Sequence, residues 1–265
     1  MASTPRLVAT DLDGTLLRSD GTVSLRTAAV LAQLDERGVP VVFVTGRPRR
    51  WMEVVRRHVG GHGLAICSNG AVVLRLRDDV VDLVRPLPEE EAAAVVRDLR
   101  AALPEVRFAI ESVAGFGMEP DYPAVHPAPA GSPVEPIGRL LRRRPVKLMV
   151  RHPTLDPDAF LAVVDEVAAG RAVATRSGTT AMVELSAAGV TKASTLEVLC
   201  DRFGVAAQEV VAFGDMPNDL PMLAWAGRSF AVGDAHPALA EVVTDRAGSN
   251  DEDGVAVALE ALFAL

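Results

Sequence analysis

The chain has 265 residues, 49% of them apolar and 23% charged, and a net charge of −8. That length can bury a sizeable core in one large domain or two modest ones, and the acidic balance lacks the electrostatic footprint of a nucleic-acid binder. The only cysteines, Cys67 and Cys200, lie in apolar surroundings that suit buried thiols better than a disulfide framework. No basic-then-apolar leader opens the chain and no apolar run approaches the ~20 residues of a membrane helix, so a cytoplasmic, non-membrane protein is expected.

In chain order, "RLVATD" (6–11) reads as a buried strand. Residues 24–38 form a helix with apolar positions on a 3.6 period, Ser24 as N-cap and Gly38 at the stop. "VPVVFVTG" (39–46) is a second strand, 47–60 a second helix and "LAICSNG" (64–70) a third strand. Alternating strand and helix of this kind builds a doubly wound parallel sheet. The pattern then changes. Two strands flank the Asp78-Asp79 turn, a helix covers 88–103, and "VRFAIESV" is a strand followed by a Pro- and Gly-rich loop at 119–136. "PVKLMVRH" is a strand, 155–169 a helix, and 171–186 a hairpin, which together suit an α+β module with an antiparallel sheet. From about 188 the alternation returns: helix 191–203, strand 209–215, helix 217–226, a short strand "SFAVG" and a last helix from 254. The expectation is an α/β Rossmann-like core of residues 1–82 and 186–265, interrupted by an α+β module at 83–185.

Ligands of parallel α/β sheets bind beyond the carboxyl ends of the strands. There the sequence places Asp11 and Asp13, then Thr45, Gly46 and Arg47, then Asn69, and finally Asp215 with Asn218 and Asp219. Oxygen ligands without a histidine cluster suit a hard cation such as Mg²⁺. One carboxylate can attack phosphorus, and a second two residues on can serve as acid and base. An EF-hand does not fit "DLDGTLLRSDGT", whose glycine is fourth rather than sixth and whose twelfth residue is Thr22, and no Walker phosphate loop occurs. Lys147 and Lys192 are the only lysines in an arginine-rich chain, which asks for a reason at each.

"DLDGTLL" (11–17), "VTGR" (44–47), "GVTKASTL" (189–196) and "GDMPNDLPML" (214–223) resemble the four ordered motifs of the haloacid dehalogenase superfamily. "ICSNGA" (66–71) and "NDEDGVA" (250–256) resemble its Cof-type (IIB) phosphatases, whose cap is inserted after the third core strand. The resemblance implies Asp11 as nucleophile and Mg²⁺ ligand, and Asp13 as general acid/base with its carbonyl on the metal. It implies a phosphoryl site at Thr45, Gly46, Lys192 and Asn218, with Asp215 as metal ligand and Asp219, Asn69 and Arg47 in support. The substrate expected is a small phosphorylated metabolite such as a sugar phosphate, hydrolysed through an aspartyl phosphate. The alternatives are a phosphosugar mutase, or a binding protein on the same fold. Glu111, Asp121, Tyr122 and Arg176 are candidate substrate contacts in the module. Arg47 reads equally as a surface residue. Arg142 to Arg144 read as a solvated face rather than an anion site, the acidic "NDEDG" loop as a solvated turn with contact to the site's edge as the alternative, His126 and His152 as bland, and Met216 and Met222 as packing.

Overall fold

Leu7–Thr10 is a run of four side chains with no exposed member. A strand buried on both faces belongs in the middle of a parallel sheet. In the computed structural model, which describes residues 4–58, 63–176 and 181–265, that is where it lies. The described chain divides into two compact units, one made of the residues up to Leu83 together with Thr191–Leu265, the other of Val84–Val190.

The first unit is discontinuous. Its first part holds β1 (Leu7–Thr10), α1 (Leu25–Glu36), β2 (Val41–Val44), α2 (Glu53–Arg56), β3 (Gly63–Cys67), β4 (Val72–Arg75) and β5 (Val80–Val84). The inserted unit supplies α3 (Glu89–Ala102), β6 (Arg107–Ser112), β7 (Gly115–Met118), α4 (Ile137–Leu140), β8 (Lys147–Arg151), α5 (Pro157–Ala168), β9 (Ala172–Thr175) and β10 (Met182–Ala187). The first unit then resumes with α6 (Lys192–Phe203), β11 (Val210–Gly214), α7 (Leu220–Trp225), β12 (Arg228–Val232), β13 (Asp245–Ala247) and α8 (Gly254–Phe263).

The larger sheet runs β13-β12-β11-β1-β2-β3-β4-β5, parallel from β13 to β3, with β4 antiparallel to β3. Val8 lies opposite Val211 on one side and Val41 on the other. Leu7, Ala9, Val42, Val44 and Ile66 bury one face against Leu196 and Leu199 of α6 and Met222 and Leu223 of α7. Ser24 caps α1 as expected, its hydroxyl accepting from the Thr27 N–H.

The inserted unit has a separate antiparallel sheet, ordered β7-β6-β8-β10-β9. By the two-residue pleat, Phe108, Ile110, Leu148, Val150, Val183 and Leu185 share one face, and α5 packs on β9 and β10 with α3 beside it. The opposite face carries Glu111, Lys147, Glu184 and Ser186, with Lys147 Nζ 2.5 Å from Glu184 Oε1.

Some elements differ from the sequence reading. The helix expected over 47–60 is a single turn at Arg49–Trp51 followed by the four-residue α2. Pro48 disfavours helical backbone at Arg47, and the β-branched pair Val54-Val55 is a weak helix former. β7 was not expected because Gly115 and Gly117 mask a strand. α4, the turn at Leu141–Arg143 and the three-residue edge strand β13 are likewise short elements that periodicity does not reveal. Residues 59–60 and the hairpin turn at 177–180 lie outside the described residues. Among the described residues no helix is long and apolar enough to cross a membrane, and both cysteines are buried and form no disulfide.

Candidate active site

Because β1, β2, β3 and β11 are parallel, their carboxyl ends share one edge, and the site is built there. Asp11 follows β1 directly, its N–H donating to Phe213 O at 3.0 Å. Leu12–Leu16 then form one wide turn, closed by the Leu17 N–H on Leu12 O at 2.8 Å. Inside this turn Asp13 is extended and Gly14 is left-handed, with φ +74°. A Cβ at Gly14 would stand 2.3 Å from Asp215 Oδ2, so conformation and space both require glycine there. Asp11 is buried, whereas the Asp13 side chain is 59% exposed.

The second strand end contributes Thr45, Gly46 and Arg47. Thr45 Oγ1 accepts the Arg47 N–H at 3.0 Å, and Arg47 Nε and Nη2 grip Asp13 at 2.7 and 2.5 Å. The two-point geometry is what a guanidinium offers a carboxylate. At the third strand end Asn69 is left-handed and donates its N–H to Thr45 O at 3.1 Å.

α6 delivers Lys192. Thr191 and Ser194 exchange side-chain and backbone hydrogen bonds at 3.0 Å, a capping box that fixes where the helix starts. Thr195 Oγ1 donates to Gly70 O at 2.7 Å and ties that start to the third strand end. Lys192, first in the helix and buried, places Nζ 2.7 Å from Asp11 Oδ1 and 2.6 Å from Asp219 Oδ1. The other Asp219 oxygen accepts the N–H groups of Asp215 and Met216, both at 3.1 Å. Thr15 Oγ1 donates to Asp215 Oδ1 at 2.6 Å. Asn218 Nδ2 reaches Asn69 Oδ1 at 3.3 Å, while its buried Oδ1 has no partner among the described residues.

Burial opposes charge on Lys192, but the Asp11 and Asp219 carboxylates outweigh it and hold its pKa above the ordinary value. Burial pushes the Asp11 carboxyl up against the pull of Lys192, with Asp219 and Asp215 adding to the rise. Burial raises Asp215 to about 6, opposed by the Thr15 hydrogen bond and helped by Asp219. Three carboxylates crowded around one ammonium leave an excess of negative charge. A cation relieves it.

Asp11, Asp215 and Asp219 each have an oxygen within 4.8 Å of the others. Asp219 has its oxygens committed to Lys192 and two backbone N–H groups, so it positions the cluster. Asp11 and Asp215 are left as the carboxylates with capacity for an ion. An all-oxygen donor set fits a hard divalent cation.

Asp11, Asp215, Asp219 and Lys192 thus form one cluster, Asp13 pairs with Arg47, and Asn218 with Asn69. Thr15 lies within "DLDGTLL" but has no role in the sequence reading, although its place four residues after Asp11 in a strand-end turn is the kind of signal that finds one. Of the two readings of the "NDEDG" loop, contact near the site is the one its side chains make: Asn250 Nδ2 donates to Leu17 O at 2.8 Å, Asp251 binds Ser19 and Asp253 binds Arg18. In the inserted unit, Glu111 lies opposite Lys147 in register, Tyr122 is buried with its hydroxyl 3.9 Å from Met182 Sδ, Arg176 pairs with Asp158 at 2.7 Å, and Asp121 is exposed. His152 Nδ1 accepts the N–H groups of Thr154 and Leu155, and Met222 is buried in the core.

A profile of the haloacid dehalogenase-like hydrolases matches residues 8–259. Over the full length of both chains, the protein is 28% identical to the 5-amino-6-(5-phospho-D-ribitylamino)uracil phosphatase of Bacillus subtilis. It is also 28% identical to the phosphoglycolate phosphatase of Methanopyrus kandleri, over 97% of each chain. Among solved structures, a phosphatase of the haloalkanoate superfamily from Bacteroides thetaiotaomicron superposes with a TM-score of 0.85 at 25% identity, covering 99% of this chain and 96% of that one.

Proposed function

The chain belongs to the haloacid dehalogenase-like hydrolases, and from that membership we propose that it hydrolyses a small phosphorylated metabolite through an aspartyl phosphate, with Mg²⁺ as cofactor. The observation that carries this reading is the contrast between Asp11, buried with one oxygen on Lys192, and Asp13, exposed and two residues on.

Asp11 is the nucleophile. Lys192 fixes one of its oxygens, leaving the other to attack phosphorus, and brings positive charge to where the transferring oxygens gather it. Asp13 gives its proton to the departing alcohol oxygen, then takes one from the water that opens the acyl phosphate. Arg47 orients the Asp13 carboxyl between those two uses. Thr45, Gly46 and Asn218 supply donors for the phosphoryl oxygens, Asn69 holding Asn218. Asp11, the Asp13 carbonyl and Asp215 would hold Mg²⁺, which when bound neutralises phosphoryl charge. Asp219 positions Lys192 and the Asp215 backbone, and Thr15 steadies the Asp215 carboxylate. The inserted unit, residues 83–185 in the sequence reading, carries the choice of substrate, with Glu111, Asp121, Tyr122 and Arg176 as candidate contacts. The relatives' names support small phosphate esters as the class: one is a ribitylaminouracil phosphate and the other phosphoglycolate.

Phosphate release from a panel of sugar phosphates, phosphoglycolate and nucleotides tests the reading, with Asp11→Asn as control. The wild type should turn over at least one ester in Mg²⁺ and lose activity in chelator, and Asp11→Asn should fall to background while still folded. A near-normal rate in Asp11→Asn would remove the covalent mechanism.

A further inference from the structure

The turn that carries Asp11 and Asp13 lacks the repeating i to i−4 hydrogen bonds that stiffen a helix, since Asp13 is extended and Gly14 left-handed within it. Its position therefore depends on what holds it: Arg47 on Asp13, Thr15 on Asp215, and the anchors of its two ends. The front end is the β1 strand. The back end, Leu17 to Ser19, is gripped by a loop more than 230 residues away in sequence.

Three side chains make the grip. Asn250 Nδ2 donates to Leu17 O at 2.8 Å, and Leu17 is the residue whose N–H closes the turn on Leu12 O. Arg18 forms three hydrogen bonds to the Asp253 carboxylate, at 3.2, 3.0 and 2.9 Å. Asp251 accepts the Ser19 N–H at 2.8 Å and its hydroxyl at 2.7 Å. The Asp253 side chain is only 12% exposed, so this charge-assisted pair is shielded on one side.

The gripping loop is itself braced. The Glu252 and Gly254 N–H groups both donate to Ser249 O, at 3.1 and 2.9 Å, and a Cβ at Gly254 would stand 2.0 Å from Gly248 O. α8 begins at Gly254 and packs on α1.

We propose that residues 249–254 are a positioning clamp for the Asp11–Asp13 turn. Asn250, Asp251 and Asp253 act through Leu17, Arg18 and Ser19 to set where the Asp13 carboxyl stands. They are positioning residues, and the inference rests on the hydrolytic reading above only for its kinetic part.

Asn250→Ala removes the donor to Leu17. Asp253→Asn removes the charge while keeping a residue that tolerates the left-handed backbone at φ +58°. Arg228→Gln is the control, because it breaks the Arg228–Asp245 ion pair between β12 and β13, which takes no part in the seam's hydrogen bonds. Native-state hydrogen exchange should quicken about tenfold at the amides of residues 12–19 in the two seam variants and not in the control.

In turnover, a partial displacement of Asp13 should lower kcat for phenyl phosphate by about tenfold, with KM little changed, given that a ~1 Å misplacement can cost ~10²-fold. The nitrophenyl ester, whose leaving group needs less help from an acid, should lose no more than about threefold. Should Asn250→Ala fold poorly, Asp251→Asn tests the same seam at the exposed Ser19 contact. Unchanged exchange at 12–19 overturns the clamp. Faster exchange with equal loss on both esters overturns the positioning of Asp13 and leaves a stabilising contact. If the wild type cleaves neither aryl ester nor any ester of the metabolite panel, the hydrolytic reading fails, and exchange alone decides whether the clamp exists.

Discussion

Replacing Lys192 by Met keeps the length of the side chain and removes the cation from a buried cluster. At 2.7 and 2.6 Å, each of its two carboxylate contacts is worth about 6 kcal/mol of gross Coulomb attraction at an effective dielectric of about 20. Most of that is offset by the desolvation of three charged groups. Removing one partner of such a buried arrangement costs about 3–5 kcal/mol, because the remaining charges stay buried without compensation. Asp219 retains two backbone donors after the substitution and suffers less than Asp11. The assay can be confined to the right part of the molecule: Trp51 and Trp225 both lie in the discontinuous unit, so tryptophan fluorescence follows its unfolding. With a urea slope of about 2 kcal/mol per M, the midpoint in chelator should fall by about 2 M. Lys192→Met with Asp219→Asn should be less destabilised than the sum of the single changes, by about 1 kcal/mol or more. A midpoint within about 0.3 M of wild type would mean that the cluster carries no uncompensated charge, and the argument would fail.

Three further outcomes are expected. Gly14→Ala forces a Cβ towards Asp215 Oδ2 in a left-handed backbone, so calorimetry should show divalent-ion affinity reduced by about 10-fold or more; unchanged affinity would show that Asp215 yields without cost. Arg47→Lys keeps the charge but loses the two-point grip on Asp13, so kcat/KM should fall by about tenfold, and wild-type kcat/KM with Lys would dismiss the fork geometry. Arg49 and Arg56 hold the Asp79 carboxyl below the ordinary range, mainly through the Arg49 hydrogen bond. Its stabilising contribution is thus present above its unfolded pKa of about 4 and lost as pH falls through the lower folded value. Asp79→Asn, at a left-handed site Asn tolerates, should cost at most about 1 kcal/mol at pH 6, and the cost should shrink as pH falls below about 4; a pH-independent difference would refute the assignment.

The parallel core was legible in the sequence because its signals are local: apolar runs such as "VVFV" ending in Thr-Gly, and Asp-x-Asp after "LVAT". Lys192 stood out for a compositional reason, and the structure gives it a physical one. The chain's other lysine, Lys147 in the inserted unit, also has its explanation in the structure, but its partner Glu184 lies across a strand pairing that the sequence does not display. Arg47 could be read two ways, because only the fold brings it to Asp13. The closing acidic loop could likewise be read two ways. Charge and a turn signal describe a solvated loop equally well, and its three contacts are with residues that meet it only after both ends of the chain have folded together. Short elements such as β7 and α2 escaped because glycine and β-branched residues blur the period, and tertiary pairing decides them.

β1 sits between β2 and β11, with Leu7 opposite Val210. The central strand of the sheet is therefore made about 200 residues before its second neighbour. At ribosomal rates of about 5–20 residues per second, β1 waits about 10–40 s for β11 to be synthesised. Throughout that interval one apolar strand edge has no partner, and the later-made unit, continuous in sequence from Val84 to Val190, has all its strands before the earlier one can close. The order of birth is the reverse of the order of completion, which leaves the nascent β1 edge open to pairing with a strand of another chain until β11 arrives.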